Sequence, residues 1–440
     1  MASPLLGPLT EAHAVVGPGV TVVAAAGSDT TQGLMSLLQQ QGYGTTATPF
    51  YNIPANYVLA GVGSVTVPGQ NNSSCGDDTT WTADPLAPAS NTAATEGVSP
   101  FGSTAGKKYL FAEDSGTGPN ANTANGGTTA SGTDYGCVNV ARSSSAPGSL
   151  TGSSTDKAGF EYYAYALDAV SWASSSTRAP ATLTQAQLLS IYNCNVTDWS
   201  QVGGAPGPIQ RYFPQVGSGT RSFFATDILG QASNYAPPTG ISGCPDAVLV
   251  EENEGQQVKA TDTDSAIMPY SAAVWDLQQS NSINPSLDRR VNTVGALQIL
   301  HGITTAATPA VTAVPVHWNG SNHDYELDST TQVVESNVKV NLAAGATPVF
   351  PGIRYVYNIL DSALTANNNY AAASSLFGFD NSSAGATAKS PMCSNTGASN
   401  NQQIAIGSIQ SAGFASLNTT GNFNGSNVSG ATCRLLKPTP

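Results

Sequence analysis

Three short stretches of glycine, serine and threonine each follow an apolar segment, and their residue types suit anion binding. The clearest is Gly217-Ser218-Gly219-Thr220-Arg221, which follows an extended segment over 209–216 and opens a predicted helix. Unpaired N–H groups at a helix start, two hydroxyls and a guanidinium together suit a tetrahedral or carboxylate anion. For this pentapeptide alone, a serine N-cap with an incidental arginine is an equally good interpretation, because short Gly/Ser motifs often occur by chance.

Two further turns have the same character. Ser28-Asp29-Thr30-Thr31 follows a predicted buried strand over 19–26, and Arg142-Ser143-Ser144 ends a short predicted strand that starts at Cys137. Either turn alone could be an N-cap or an exposed polar turn. In open α/β sheets, however, ligands collect outside the carboxyl ends of strands, so we expect the three turns to meet at one cleft. The candidate ligand-binding residues are Ser28, Asp29, Thr30, Thr31, Arg142, Ser143, Ser144, Ser218, Gly219, Thr220 and Arg221.

Long apolar segments must position these turns. The aromatic stretch 160–172 predicts a strand that crosses between domains, and 266–270 is its predicted partner. Between them, Thr184 and Gln187 form a capping box that predicts a helix start. Residues 71–136 are predicted as a long loop around one strand at 107–112, and another helix is predicted over 272–278. Alternating valines from Val311 to Val340 indicate a β-rich region, and the tail after Gly385 is rich in Asn, Ser, Thr and Gly.

Composition excludes several partners. The chain has 440 residues, which favours two or three domains, and a net charge of -13 with 15 Lys+Arg. Without a basic run, binding to nucleic acid or to anionic lipid is not expected. No apolar run is long enough to span a membrane. Only 10% of the residues are charged, a composition closer to extracellular than to cytosolic proteins, so we expect an extracellular or cell-surface location.

The cysteines and the first residues of the chain also bear on where the protein is located. An even number of widely spaced cysteines indicates disulfides, with buried free thiols as the alternative. Sequential pairing would close three local loops, between Cys75 and Cys137, Cys194 and Cys244, and Cys393 and Cys433. The first residues lack the basic start and apolar core of a signal peptide. We therefore expect the printed sequence to be a mature or trimmed chain whose leader has been removed.

The order of these motifs resembles the phosphate-type solute-binding proteins of ABC importers, in a secreted branch like that of Gram-positive bacteria. The resemblance covers roughly residues 20–279 and, more weakly, 354–358. It rests on the three turns together with the segments 164–170, 183–188 and 197–199. It implies an α/β, two-lobed, periplasmic-binding-protein-like fold of type 2, with mixed sheets flanked by helices and with β-rich and loop insertions. The implied domains are an N-terminal extension at 1–19, lobe I from 20–168 plus 267–440, and lobe II from 169–266.

The resemblance also implies a function. A small oxyanion such as phosphate would be held in the cleft between the lobes, an ABC permease would be the partner, and no cofactor would be needed. The sequence departs from the family pattern at two places: serine stands at Ser143 and Ser144 where phosphate binders usually carry an aspartate, and Pro214-Gln215-Val216 lacks their usual arginine. Arg221, Arg142 or Arg211 would have to supply the charge. The alternative function is a secreted structural or adhesive surface protein that retains the fold without transport-related ligand binding.

An enzyme is not expected, because the chain has no Gly-x-Ser-x-Gly elbow and no His-Glu-x-x-His motif. One cluster, at His317, His323, Asp324 and Glu326, has side chains that can bind metals. A polar surface turn explains that cluster better, so no metal site is predicted.

Overall fold

The computed structural model describes residues 22–53, 64–66, 80–82, 102–115, 138–150, 155–174, 177–280, 289–290, 299–304, 312–313, 316–319, 324–327, 351–363, 370–378, 390–394, 397–417 and 433–440. The predicted N-terminal extension, Cys75, Cys137, His323 and the valines at 333–340 lie outside the described residues.

Strands and helices alternate over much of the described chain. The strands are β1 (Val23–Gly27), β2 (Phe50–Asn52), β3 (Ser64–Thr66), β4 (Thr80–Thr82), β5 (Val140–Ser143), β6 (Phe160–Ser174), β7 (Thr182–Thr184), β8 (Gln210–Pro214), β9 (Val248–Val250), β10 (Ala266–Ser271), β11 (Ile299–Thr304), β12 (Thr312–Ala313), β13 (Val316–Asn319), β14 (Asp324–Leu327), β15 (Ile353–Asp361), β16 (Ala415–Ser416) and β17 (Arg434–Leu436). The α-helices are α1 (Gln32–Gln40), α2 (Ser103–Ser115), α3 (Gln185–Tyr192), α4 (Gly219–Phe223), α5 (Ala272–Ser280), α6 (Tyr370–Phe377) and α7 (Asn400–Ser411).

A mixed sheet forms the framework of the fold. Along its main path the described strands follow the order β2-β1-β5-β15-β6-β10-β8-β9. Strand β1 runs parallel to β2 and β5, and β8 runs parallel to β9 and β10. The pairs β5–β15, β15–β6 and β6–β10 are antiparallel. A large mixed sheet flanked by helices confirms the predicted α/β fold class.

Strand β6 connects the two groups of parallel strands. Its residues from Phe160 to Ala169, except Tyr165, pair with β15, and Val170 to Ala173 then pair with Ser271 to Met268 of β10. All of β6 is buried, which explains why its sequence is rich in apolar and aromatic residues without a regular alternation; its acids Glu161 and Asp168 are buried as well. The two predicted crossing segments are therefore neighbours in the sheet, as the sequence indicated.

Local signals predicted several helix starts correctly. The Thr184 hydroxyl accepts from the Gln187 N–H, and the Gln187 side chain accepts from the Thr184 N–H, so the predicted capping box is present at the start of α3. Leu34, Met35 and Leu38 are buried on α1, where the sequence placed a helix. The helix predicted over 272–278 is α5.

One prediction of local structure was wrong, and one helix was not predicted. The strand predicted at 107–112 lies within helix α2; Ala105 and Tyr109, one helical turn apart, are both buried, and the buried Lys107 ammonium lies 3.1 Å from the Asp156 carboxylate. The tail after Gly385, for which no element was predicted, contains α7. Its capping box of Ser399 and Gln402 was readable in the sequence.

Disulfides join Cys194 to Cys244 and Cys393 to Cys433, as sequential pairing predicted. The first lies between α3 and β9, and the second ties the segment after α6 to the strand β17. None of the helices in the described part of the chain has both the length and the hydropathy needed to cross a bilayer.

Candidate functional site

The first predicted turn follows strand β1. Gly27 ends that strand with φ +125°, and a Cβ atom there would lie 2.6 Å from the Arg142 carbonyl oxygen, so both backbone and space require glycine. Ser28 follows, Asp29–Thr31 forms one turn of 3-10 helix, and α1 begins at Gln32. Ser28, Thr30 and Thr31 are buried.

The second turn follows strand β8. Gly217 has φ +92°, the Ser218 hydroxyl accepts from the Arg221 N–H, and α4 begins at Gly219. A Cβ atom on Gly219 would lie 2.3 Å from the Ser144 Oγ and 2.5 Å from the Ser103 Oγ, so this turn packs directly on the third predicted turn. Ser103 begins α2, and its hydroxyl also accepts from the Ser144 N–H at 3.0 Å.

These turns meet around one carboxyl group, that of Glu252, which lies just beyond β9. Its Oε1 accepts from the Thr30 N–H at 3.2 Å and from the Thr30 hydroxyl at 3.0 Å. Its Oε2 accepts from the Thr220 N–H at 3.1 Å and from the Ser218 hydroxyl. The Ser28 Oγ lies 3.4 Å from Oε1. We call Ser28, Thr30, Ser218 and Thr220 the anion pocket. Because its groups donate to both oxygens, Glu252 accepts as a carboxylate does.

An arginine lies behind the pocket and orients its hydroxyls. The Arg354 Nη2 donates to the Thr30 Oγ1 at 3.1 Å and to the Thr220 Oγ1 at 3.0 Å. The two hydroxyl oxygens are 3.2 Å apart. Since the Thr30 proton points to Glu252, the Thr220 hydroxyl donates to Thr30. The guanidinium therefore strengthens the Thr30 donor through two polarised hydroxyls.

A buried ion pair fixes that arginine in turn. The Asp168 Oδ2 accepts from Arg354 Nε at 2.9 Å and Nη2 at 2.7 Å, and the Asp168 Oδ1 accepts from the Ser271 hydroxyl and the Ala273 N–H. Both charged side chains are almost fully buried. The Arg354 Nη1 also donates to the Ser144 carbonyl oxygen at 3.3 Å. Asp168 thus connects β6, β10 and β15 beneath the pocket.

Arg142, which the sequence suggested as an anion-binding residue, donates mainly to backbone carbonyl oxygens. Its guanidinium donates to the carbonyl oxygens of Ala25, Gly27, Ser28 and Ile53 and to the Asn52 side chain. Complete burial lowers the pKa of the guanidinium to about 10, although the Asp29 charge nearby raises it. With these acceptors around it, Arg142 holds the first turn in place and makes no contact with Glu252.

Arg221 has a similar structural role. It donates to the carbonyl oxygens of Pro214 and Tyr235 and lies over the Phe213 ring, 5.0 Å from the ring centre. Arg211, the third arginine considered from the sequence, donates to the carbonyl oxygens of Tyr192, Pro238 and Pro245. The described hydrogen bonds of the three guanidinium groups go to backbone carbonyl oxygens and to the Asn52 side chain, so these arginines hold their loops in place and do not donate to Glu252.

The remaining predicted residues surround the pocket without donating to Glu252. The Ser144 Oγ accepts from the Ser28 hydroxyl at 3.0 Å. Ser143 bonds to Ser145, and the Thr31 hydroxyl bonds to the Ser28 carbonyl at 3.4 Å. Gly219 contributes close packing.

Buried carboxyl groups lie next to the pocket. The pKa of Asp29 is raised to about 7, chiefly by burial and also by the Glu252 charge, while Glu251, Arg142 and the Gly102 backbone act in the opposite direction. Burial also raises the pKa of Glu254 to about 8, with Arg289 lowering it and Asp29 raising it. The pocket therefore lies in a region where added negative charge is costly.

Four residues of this site were not predicted: Glu252, Arg354, Asp168 and Ser103. Asp168 and Arg354 both stand within segments that carry the family resemblance, and Glu252 lies in Val-Leu-Val-Glu-Glu, where an apolar strand runs into acids. A carboxylate at a strand end beside two anion-binding turns was the available signal.

The described structure does not support metal binding by the cluster of His317, Asp324 and Glu326. Its His317 and Glu326 stand opposite each other on β13 and β14, and Asp324 pairs with Asn319. No group of three or more His, Cys, Asp or Glu side chains within the described ranges is arranged to hold a metal ion.

Several solved structures are similar to this chain. A putative phosphate ABC transporter substrate-binding protein from Clostridium perfringens, solved with bound phosphate, is 12% identical, with a TM-score of 0.40 over 80% of this chain and 91% of that one. PstS from Borrelia burgdorferi is 13% identical, with a TM-score of 0.36 over 90% and 98%. A DING protein is 12% identical, with a TM-score of 0.47 over 90% and 91%. A search of curated protein sequences found no match.

The family model of the PBP superfamily domain matches residues 59–358. This range is well over half of the chain and includes Asp168, Ser218, Thr220, Glu252 and Arg354. The family consists of binding proteins rather than enzymes, in agreement with the sequence prediction. The chain therefore belongs to the PBP superfamily of solute-binding proteins.

Proposed function

We propose that this protein captures a small oxyanion between the turn at 28–31 and the turn at 218–221. The observation that carries this proposal is the convergence of four donors, the N–H and hydroxyl of Thr30, the N–H of Thr220 and the hydroxyl of Ser218, on the two oxygens of one carboxylate. A set of donors that binds both oxygens of the Glu252 carboxylate is also suited to a solute oxyanion of similar size. Such hydrogen bonds to a charged acceptor are among the stronger ones in proteins.

The proposed lobes are residues 20–168 plus 267–440 and residues 169–266, with the oxyanion held between them. The pairing of β6 with β10 supports this division, because it is the point in the sheet where the strands on the β1 side join the parallel group of β8, β9 and β10. The two turns of the anion pocket follow one strand from each group. A relative movement of the two groups would open the pocket, which is buried in the structure.

Phosphate or a similar ion is the proposed solute class. The pocket binds its occupant through neutral donors, with Arg354 one hydrogen bond further away, so we expect weak discrimination between phosphate and sulfate. The similar protein from Clostridium perfringens was solved with bound phosphate. We further propose an extracellular or cell-surface location and delivery to an ABC permease, on the basis of family membership and the low content of charged residues.

A second function is favoured by one specific observation. The pocket is filled by the chain's own Glu252, which would suit a structural or adhesive surface protein that retained the fold after losing its solute. In that case the carboxylate would act as a permanent part of the core. The two functions differ in whether the natural chain binds an added anion.

Calorimetric titration with phosphate and sulfate tests the proposal. We expect binding by the natural chain at micromolar to millimolar concentrations, and a loss of about tenfold or more in Thr30→Val, which removes one hydroxyl donor. Thr226→Val is the matched control, because the exposed Thr226 hydroxyl bonds locally to Ser222 and Asp227. Absence of binding to both anions at millimolar concentrations would favour the structural protein. Equal losses in both variants would place the anion elsewhere.

A further inference from the structure

We propose that Glu252 is an internal ligand of the anion pocket, which competes with solutes and sets their apparent affinity. This inference rests on the proposed anion-binding function. The four donors that a solute oxyanion would use, the N–H and hydroxyl of Thr30, the N–H of Thr220 and the hydroxyl of Ser218, are all directed at the Glu252 carboxylate. Glu252 is 1% exposed. An oxyanion therefore cannot reach these donors until the carboxylate leaves them.

The position of Glu252 is built into the fold. The next residue, Asn253, has φ +62°, a left-handed conformation that few residues other than glycine adopt. Its carbonyl oxygen accepts from the Tyr270 hydroxyl at 2.6 Å and the Gln278 side chain at 3.1 Å, and its Oδ1 accepts from the Ser271 N–H at 2.8 Å. This anchoring of Asn253 directs the Glu252 side chain toward the pocket, so its hydrogen bonds there are fixed by the fold.

The carboxylate also joins the two proposed lobes. Glu252 follows β9, which pairs with β8, so it belongs to the same group of strands as Ser218 and Thr220. Its Oε1 reaches Thr30, which follows β1 on the other side of β6. Glu252 thus bridges the two turns as a bound oxyanion would.

Competition of this kind lowers affinity by a calculable factor. In a small fraction of the molecules the Glu252 carboxylate has left the pocket donors, and only these molecules can bind a solute. The apparent dissociation constant of the solute therefore equals its intrinsic dissociation constant divided by that fraction. A tethered group acts at a high effective concentration, which for short connections is in the millimolar range or above. We therefore expect removal of the Glu252 carboxylate to tighten phosphate binding by about tenfold to a hundredfold.

The test compares Glu252→Ala and Glu252→Gln with the natural chain, by calorimetric titration with phosphate at pH 7. Glu254→Gln is the matched control: it changes a buried acid in the same segment whose contacts are with Gln256 and Arg289 and not with the pocket. We expect at least tenfold tighter binding in Glu252→Ala, an intermediate gain in Glu252→Gln and less than a threefold change in Glu254→Gln. The amide is intermediate because its NH₂ group cannot accept from the pocket donors.

Acetate provides a second measurement that works even where phosphate fails. It should occupy the pocket of Glu252→Ala in place of the missing carboxylate and raise the Tm of that variant with increasing concentration, while the natural chain and Glu254→Gln show no comparable rise. Tight anion binding by Glu252→Ala with none by the natural chain would support the internal ligand and overturn solute capture. Equal phosphate affinities in the natural chain and Glu252→Ala would overturn the internal ligand and leave solute capture standing. Absence of any acetate effect on Glu252→Ala would also overturn the internal ligand.

Discussion

Arg354 and Asp168 form a buried ion pair, with 2.7 Å between Nη2 and Oδ2, that lies behind the anion pocket and not inside it. The same guanidinium nitrogen donates to Thr30 and Thr220, so the pair couples the framework strands to the pocket hydroxyls. A charge held this way supports anion binding through the hydroxyls, without meeting the anion itself.

We expect Arg354→Met to lower the free energy of unfolding by about 3–5 kcal/mol, because it leaves the Asp168 carboxylate buried without its cation. Phosphate affinity should fall as well, since Thr30 and Thr220 lose the donor that orients them. Arg354→Lys keeps the charge but cannot make the same set of contacts, so it should recover only part of either loss. Urea denaturation and titration with phosphate measure both quantities. An unchanged affinity in Arg354→Met would remove the arginine from the site.

Close packing at Gly219 gives a second prediction. In Gly219→Ala the new methyl group would meet the Ser144 and Ser103 hydroxyls at 2.3 and 2.5 Å, so the turn must move. We expect a loss of about 1–3 kcal/mol in stability and at least tenfold weaker anion binding. Gly407→Ala is the control, because nothing lies within 4 Å of the added methyl in helix α7. That change should stabilise the protein by up to about 1 kcal/mol. Normal binding by Gly219→Ala would show that the turn can shift without cost.

The backbone of the site could be predicted from the sequence, because it depends on local patterns. An apolar strand followed by glycine and hydroxyl residues gives a strand and a turn, and strand ends gather at the edges of a sheet. The turns at Thr30, Ser144 and Thr220 therefore come together as expected. Helix α2 was missed because it is embedded in a long Gly, Thr and Asn-rich region, where composition favours a loop.

The charged groups of the site could not be predicted in the same way. Whether an arginine faces an anion or its own backbone depends on which carbonyl groups surround it, and Arg142 and Arg221 are both enclosed by such oxygens. Arg354 reaches Thr30 only because β15 pairs with β6. Glu252 reaches the pocket only because β9 pairs with β8. These pairings join residues that are far apart in the chain, and no local signal specifies them.

The disulfide between Cys194 and Cys244 closes a loop with a sequence separation of 50 residues around β8 and α4. In the chain-entropy model a loop of this length contributes about 4 kcal/mol. We expect the double variant Cys194→Ala, Cys244→Ala to lose most of that free energy of unfolding, measured by urea denaturation. Reducing agent should then destabilise the natural chain and have a smaller effect on the variant. Equal stability of the two oxidised proteins would contradict this role.

The buried acids predict an unusual dependence of stability on pH. The pKa of Asp29 rises from 3.8 in the unfolded chain to about 7, and that of Glu254 rises from 4.5 to about 8. Between pH 5 and 7 the folded state therefore holds protons that the unfolded state has lost. Their contribution to stability is complete below pH 4 and disappears as the pH rises through 7 and 8. Each group should lower the free energy of unfolding by up to about 1.4 kcal/mol per pH unit in this range.

Urea denaturation at pH 5, 6 and 7 and constant ionic strength measures this slope. In the double variant Asp29→Asn, Glu254→Gln the neutral side chains should flatten the decline, so that the variant gains on the natural chain as the pH rises. Asp264→Asn is the control, because Asp264 is exposed and its removal should leave the slope unchanged. A natural chain and double variant with parallel pH profiles would mean that Asp29 and Glu254 titrate alike in the folded and unfolded states. Protonation beside the pocket should also favour anions, so phosphate affinity corrected for the ionisation of phosphate should weaken from pH 6 to pH 8 in the natural chain and change less in the double variant.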